Sequence, residues 1–143
     1  MLLWFEDDEH GRRALQRASE LTASAGELTV VTVASHESLA GCGRCAVGTV
    51  MWNIELQEMA DADLLTARAF LHGRENVTYK RLEGATKEIP ALLIAAATQA
   101  QADLVILPRR FGPRHLPGAS RRCVRATIAA AGNWRVESGL AAG

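Results

Sequence analysis

Three groups of residues in this 143-residue chain have types and spacings that do chemistry. The first is Cys42-Gly43-Arg44-Cys45, a C-x-x-C pair. A thiol beside an arginine has a lowered pKa, which suits a redox pair. Two thiolates are also half of a tetrahedral metal site, for which Cys123, His36 and His10 are the remaining ligand types, though none has a paired spacing. A lone C-x-x-C followed by Ala46-Val47-Gly48 does not open a helix as redox motifs do, so an inert pair is the simpler reading. The second group is an arginine cluster: Arg109, Arg110, Arg114, Arg121, Arg122 and Arg125, within residues 104–136 where no acid occurs. It surrounds Gly118-Ala119-Ser120, where a helix is predicted to start and free backbone N–H groups favour an anion. Arginines in a first helical turn run against the helix dipole by a few tenths to about 1 kcal/mol. A bound negative group explains them, and so does a solvated basic face. The third group is the acidic run Glu6, Asp7, Asp8 and Glu9. No nucleophile–histidine–acid constellation can be assembled from the spacings, so the sequence predicts a protein that is not an enzyme.

The elements that must position these groups alternate in type. Residues 1–5 form a short continuous apolar run, as in a strand buried on both faces. Asp7 or Asp8 can then cap a helix whose apolar face is Ala14, Leu15, Ala18, Leu21 and Ala25, stopped by Gly26. Residues 27–34 are rich in valine and threonine and read as a second strand. Residues 35–50 read as a loop. A long helix over residues 51–72 follows, with the stripe Trp52, Leu56, Met59, Ala60, Leu64, Ala67 and Leu71, ended by Gly73. Residues 77–82 form a third strand, and a helix starts near Pro90. Residues 103–107 form a fourth strand, followed by a loop rich in proline, glycine and arginine, a helix over 119–131 and a last strand near 133–137.

This alternation predicts an α/β fold: a doubly wound parallel sheet of about five strands, helices on both faces, in one domain over residues 1–143. Ligands in such sheets bind beyond the carboxyl ends of the strands. Three segments converge there: residues 6–9, 34–36 and 108–120. The lone histidines His10 and His72 read as exposed helix-end residues, Trp4 as core, and Trp52 and Met59 as core or dimer contacts.

Bulk properties narrow the partners. Acids and bases balance at 16 each, so no global charge draws the chain to nucleic acid or an anionic membrane. No apolar run approaches the roughly 20 residues of a membrane-spanning helix. No basic segment precedes the opening apolar run, so it does not read as a signal peptide. Three cysteines are too few for a disulfide scaffold, and a reducing cytoplasm is the expected location.

The order of elements, the RRAL helix at Arg12 to Leu15, ADLVIL at Ala102 to Leu107 and Gly118-Ala119-Ser120 together resemble the universal stress protein family over nearly the whole chain. The resemblance implies the strand order 3-2-1-4-5, a small cytoplasmic stress-response or regulatory protein without required cofactor, a homodimer paired through the last strand, and a site for adenine nucleotide or phosphate. With Ala34 and the arginines read from the carboxyl edge, the expected site comprises Glu6, Ala34, Pro108, Arg109, Arg110, Gly112, Gly118, Ser120, Arg121 and Arg122. The chain also departs from the family. Glu6 stands where ATP-binding members have aspartate. Pro108 and Phe111 stand where they have the glycines that let the backbone approach phosphates, and proline has neither an N–H nor a free φ. A modified site for a small anion or nucleotide, with weak or no ordinary ATP binding, is therefore expected. GNWRVESGL replaces the usual apolar last strand. A redox or metal protein acting through Cys42 and Cys45, and a pure interaction module docking through the Trp52 helix or the last strand, are the alternatives.

Overall fold

The computed structural model describes residues 1–36, 46–108 and 121–139. Its elements are β1 (Leu2–Trp4), α1 (Glu9–Leu21), β2 (Leu28–His36), α2 (Ala46–Phe70), β3 (Val77–Ala85), α3 (Ile89–Gln99), β4 (Leu104–Leu107), α4 (Arg121–Ala130) and β5 (Arg135–Ser138). The five strands form one sheet in the order β3-β2-β1-β4-β5, and every pair is parallel. This is the class and order expected from the sequence.

The central strands are apolar at consecutive positions because both faces are covered. On one face Trp4, Val31, Val33, Val105 and Leu107 pack against Ile89, Leu93 and Ala97 of α3 and Val124 and Ile128 of α4. On the other, Leu3, Phe5, Leu28, Val30, Leu104 and Ile106 pack against Ala14, Leu15 and Ala18 of α1 and Ala67 and Leu71 of α2. An antiparallel sheet with one wet face would show alternation instead.

Several element ends differ from the sequence expectation, for physical reasons. α1 stops at Leu21, not at Gly26, and Leu21 and Ala25 are exposed rather than part of its apolar face. The Thr22 hydroxyl donates back to the Ala18 carbonyl at 2.7 Å. The Arg74 guanidinium, more than fifty residues away, donates to the carbonyls of Ser19 at 2.6 Å and Thr22 at 2.9 Å. The last α1 carbonyls thus receive a cationic cap, the charge that helix end favours. α2 starts at Ala46 rather than residue 51 and ends at Phe70, so most of its first turn and a half had read as loop. β3 continues to Ala85 and is followed by a short 3-10 turn, Thr86–Glu88, whose Glu88 accepts from the Ala85 N–H at 2.9 Å. α3 begins at Ile89 with Pro90 in its first turn, as the missing N–H of proline permits. α4 begins at Arg121, and the last strand is Arg135–Ser138.

β3 is held to α2 by a polar ladder. Gln57 donates to Glu83 at 2.8 Å, Arg81 forks onto Asp61 at 2.8 and 3.0 Å, and Arg68 lies 4.9 Å from the Tyr79 ring centroid. Residues 57, 61 and 68 rise in number as 83, 81 and 79 fall, so α2 runs antiparallel to β3. Its first residues therefore lie at the carboxyl edge of the sheet. Among the described residues, no helix is long and apolar enough to cross a membrane.

Candidate functional site: a crevice at the carboxyl edge

The chain proceeds outward from β1 to β2 and β3, then returns to β4 on the other side of β1. The strand order reverses between β1 and β4, which is where open parallel sheets place ligands. Strand lengths make a step there. Trp4 is the last β1 residue paired, opposite Val31, whereas β2 and β3 continue together to His36 opposite Ala85. Residues 32–36 of β2 therefore stand beyond the end of β1, by about 16 Å at roughly 3.3 Å per residue.

The β1–α1 turn folds tightly into this step. Phe5 continues the ladder by donating to Val31 at 2.8 Å, and Asp8 turns back to donate to the Glu6 carbonyl at 2.8 Å. The Asp8 carboxylate then caps α1 by accepting from the Gly11 N–H at 2.6 Å. A Cβ on Gly11 would lie 1.8 Å from the Glu6 carbonyl oxygen, so only glycine lets the first turn of α1 close on Glu6. Across the crevice, Gly139 donates to the Leu107 carbonyl at 2.9 Å with a φ of 39°, which draws the end of β5 over the end of β4.

The crevice is lined by Glu6, Asp8, His10, Gly11, Pro108 and Gly139, with Trp4 and Leu107 beneath. Its volume is about 10 Å³, room for about one water, against the several hundred Å³ of a typical ligand pocket. Its β1 side is acidic. Asp7 is taken by Arg12 at 2.6 Å, and that hydrogen bond raises the Arg12 pKa above its ordinary value. Asp8 is taken by the helix cap, and Glu6 also lines the crevice.

The predicted site residues are distributed as follows. Glu6 and Pro108 meet in the crevice. Ala34 lies in the projecting part of β2 with its side chain 1% exposed. Leu28 donates toward β3 and Thr29 toward β1, so alternation turns the peptide groups of Ala34 to β3 and those of Val33 and Ser35 to the β1 side. Arg121 and Arg122 open α4. Arg109, Arg110, Gly112, Gly118, Ser120, Cys42 and Cys45 lie outside the described residues, as does the phosphate-loop reading that rests on Phe111. Of the wider arginine cluster, Arg125 is used internally: it donates to the Ser138 hydroxyl at 2.7 Å and the Val136 carbonyl at 3.2 Å, tying α4 to β5.

Three features escaped the sequence reading. His10, taken as an exposed helix-end residue, lines the crevice. Gly139 lines it too, from a segment that had read as tail. Asp63 is buried, 9% exposed, inside the sheet-facing stripe of α2 between Ala60 and Ala67. A carboxylate at that stripe spacing was the available signal.

No family model and no curated protein matches the sequence. Solved structures do match. A universal stress protein in complex with cAMP aligns over 98% of this chain and 97% of its own, with TM-score 0.56 and 21% identity. A universal stress protein from Archaeoglobus fulgidus aligns over 97% and 96%, with TM-score 0.55 and 16% identity. This chain has the universal stress protein fold. A hypothetical protein whose biochemical function was assigned from its structure is also similar, over 99% of this chain and 96% of its own, with TM-score 0.65 and 14% identity. The universal stress protein fold accounts for the strand order. At these identities it fixes no ligand.

Proposed function

We propose that the protein is a non-catalytic, cytoplasmic stress-response or regulatory domain of universal stress protein type that binds a small anionic ligand, a nucleotide or phosphate, at the carboxyl edge of its sheet. The observation that carries this reading is the meeting of Glu6 and Pro108 in the crevice at the point where the strand order reverses. The similar protein solved with cAMP supports a nucleotide as the ligand class.

The chemistry divides the ligand. The carboxylate of Glu6 accepts hydrogen bonds and repels anions, so it suits the hydroxyls of a ribose. The arginines after Pro108 suit phosphate. Pro108 offers no backbone N–H to a phosphate, so phosphate affinity rests on guanidinium groups rather than on a glycine cradle. With about 10 Å³ available, the crevice walls must part before a nucleotide enters, and that cost lowers affinity.

Isothermal titration calorimetry with ATP, AMP, cAMP and inorganic phosphate tests the proposal. A nucleotide is expected to bind, and Glu6→Gln to weaken it about 10-fold or more, the worth of one hydrogen bond to a charged group. Arg121→Ala with Arg122→Ala is expected to weaken both nucleotide and phosphate. Chromatography of the recovered nucleotide should show it unaltered. No heat with any of the four ligands sinks the proposal, and turnover sinks its non-catalytic part.

A further inference from the structure

His10 stands on the row of α1 that faces the sheet. Ala14 and Ala18 follow it at helical spacing, and both are buried. Side chains on a helix lean toward its N-terminus, and α1 begins at the carboxyl edge, so the imidazole is carried one turn past the core. There it lines the crevice together with Ala14. The His10 side chain is half-buried, whereas its neighbours Asp8 and Glu9 are exposed. The charged groups near it have partners of their own. Asp7 holds Arg12, Asp8 caps α1 at Gly11, and Glu9 pairs with Arg13. On the β5 side, Arg17 reaches Glu137 and Arg125 holds Ser138. Glu6 lines the same space, and Arg121 and Arg122 open α4 at the same edge. Among the described residues, no hydrogen bond or ion pair engages the His10 ring.

Other donors at the crevice are spent or absent. The Gly11 N–H goes to Asp8 and the Gly139 N–H to Leu107. Pro108, on the β4 side, has no N–H to give. Of the described lining side chains only Trp4 and His10 can donate, and Trp4 is 1% exposed. Resting on the site reading above, we propose that His10 donates to the phosphate of the bound ligand and that its protonation sets the affinity. The neutral ring offers one N–H. The imidazolium offers two, with a full positive charge, and charge-assisted bonds to phosphate are about twice as strong as neutral ones. The positive end of the α1 dipole acts on the anion in the same sense. Histidine ordinarily changes charge between about pH 5 and 8, whereas carboxylates titrate near 4. Affinity for a phosphate-bearing ligand therefore rises as pH falls through that interval.

Isothermal titration calorimetry of AMP and cAMP at about pH 5.5 and about pH 8, on the wild type and on His10→Gln, tests this. Glutamine keeps a neutral donor and cannot take the charge. The ratio of wild-type to variant affinity is expected to be near 1 at the higher pH and about 10 at the lower. Taking the ratio cancels the titration of the AMP phosphate, near pH 6, and of His36, His72 and His115. His10→Arg, whose charge is fixed, should keep the high affinity at both pH values. The His10 ring signal, identified by its loss in His10→Gln, should move in the NMR spectrum when a nucleotide is added. A ratio that is the same at both pH values overturns the inference and leaves the site standing, as does a ring signal that no bound nucleotide moves. No binding of either nucleotide by either protein at either pH overturns the site reading and the inference with it.

Discussion

Replacing Gly11 by alanine sets two effects of opposite sign against each other. Helix propensity favours alanine by about 1 kcal/mol. The structure opposes it. The new Cβ would sit 1.8 Å from the Glu6 carbonyl oxygen, where a carbon–oxygen contact needs about 3.3 Å, so the turn or the helix must move by roughly 1.5 Å. Little there can give. The bonds from Gly11 to the Asp8 carboxylate, from Asp8 to the Glu6 carbonyl and from Arg12 to the Asp8 carbonyl measure 2.6, 2.8 and 2.9 Å between Glu6 and Arg12. Overpacking costs about 1–3 kcal/mol and loss of the cap about 1. Net of propensity, Gly11→Ala should destabilise by about 1–3 kcal/mol. Gly48→Ala is the control. It also lies in a helix, with no neighbour to meet, and should stabilise by up to about 1 kcal/mol. Urea unfolding with an unchanged slope reads both as midpoint shifts of opposite direction. If both midpoints rise, Gly11 does not hold the Glu6 turn, and the account of how the crevice wall is built is wrong.

Further outcomes follow from other contacts. Arg74→Leu removes the cationic cap that bonds Ser19, Thr22 and Asn76, and should cost about 2–4 kcal/mol, with Arg74→Lys recovering only part because an ammonium lacks the planar fork; a urea midpoint within about 0.5 kcal/mol of wild type would refute the cap. Gln101 holds a φ of 48° at the end of α3, where Ala102 donates to Ala97 and Gln101 to Thr98, a pattern that favours glycine; Gln101→Gly should raise stability by about 0.5–1 kcal/mol in the same assay. Burial raises the pKa of Tyr79, against a smaller lowering by Arg68 and Arg74. The folded state thus favours the neutral phenol: its contribution to stability is present below the ordinary value near 10 and is lost as pH rises through the folded one. Tyr79 is the single tyrosine, so absorbance at alkaline pH reports it alone, and Arg68→Ala should move its titration higher still; a titration at or below 10 would contradict the burial.

How much of this was legible in the sequence depends on how local the cause is. The apolar runs at β1 and β4 and the strand–helix alternation rest on contacts made by consecutive residues, and they carried the fold class, while the strand order came with the family resemblance. Glu6 and Pro108 were legible as neighbours at the carboxyl edge because each lies just past a strand that ends at the reversal point. The end of α1 was not legible, since its cap comes from Arg74 across more than fifty residues, and Gly26 offered a plausible local stop that the chain does not use. His10 reaches the crevice only because Gly11 lets the helix close on Glu6, a contact of backbone atoms that leaves no trace in hydrophobic pattern. α2 misled in a different way. Its sheet-facing stripe was read correctly from Leu56 to Leu71, but residues 46–50 read as loop because Gly48 stands among them and the buried stripe begins only later. A surface helix with apolar residues on both sides lacks a one-sided signature. The sheet accounts for the buried row, while Val47, Val50, Met51 and Ile54 stay exposed among the described residues.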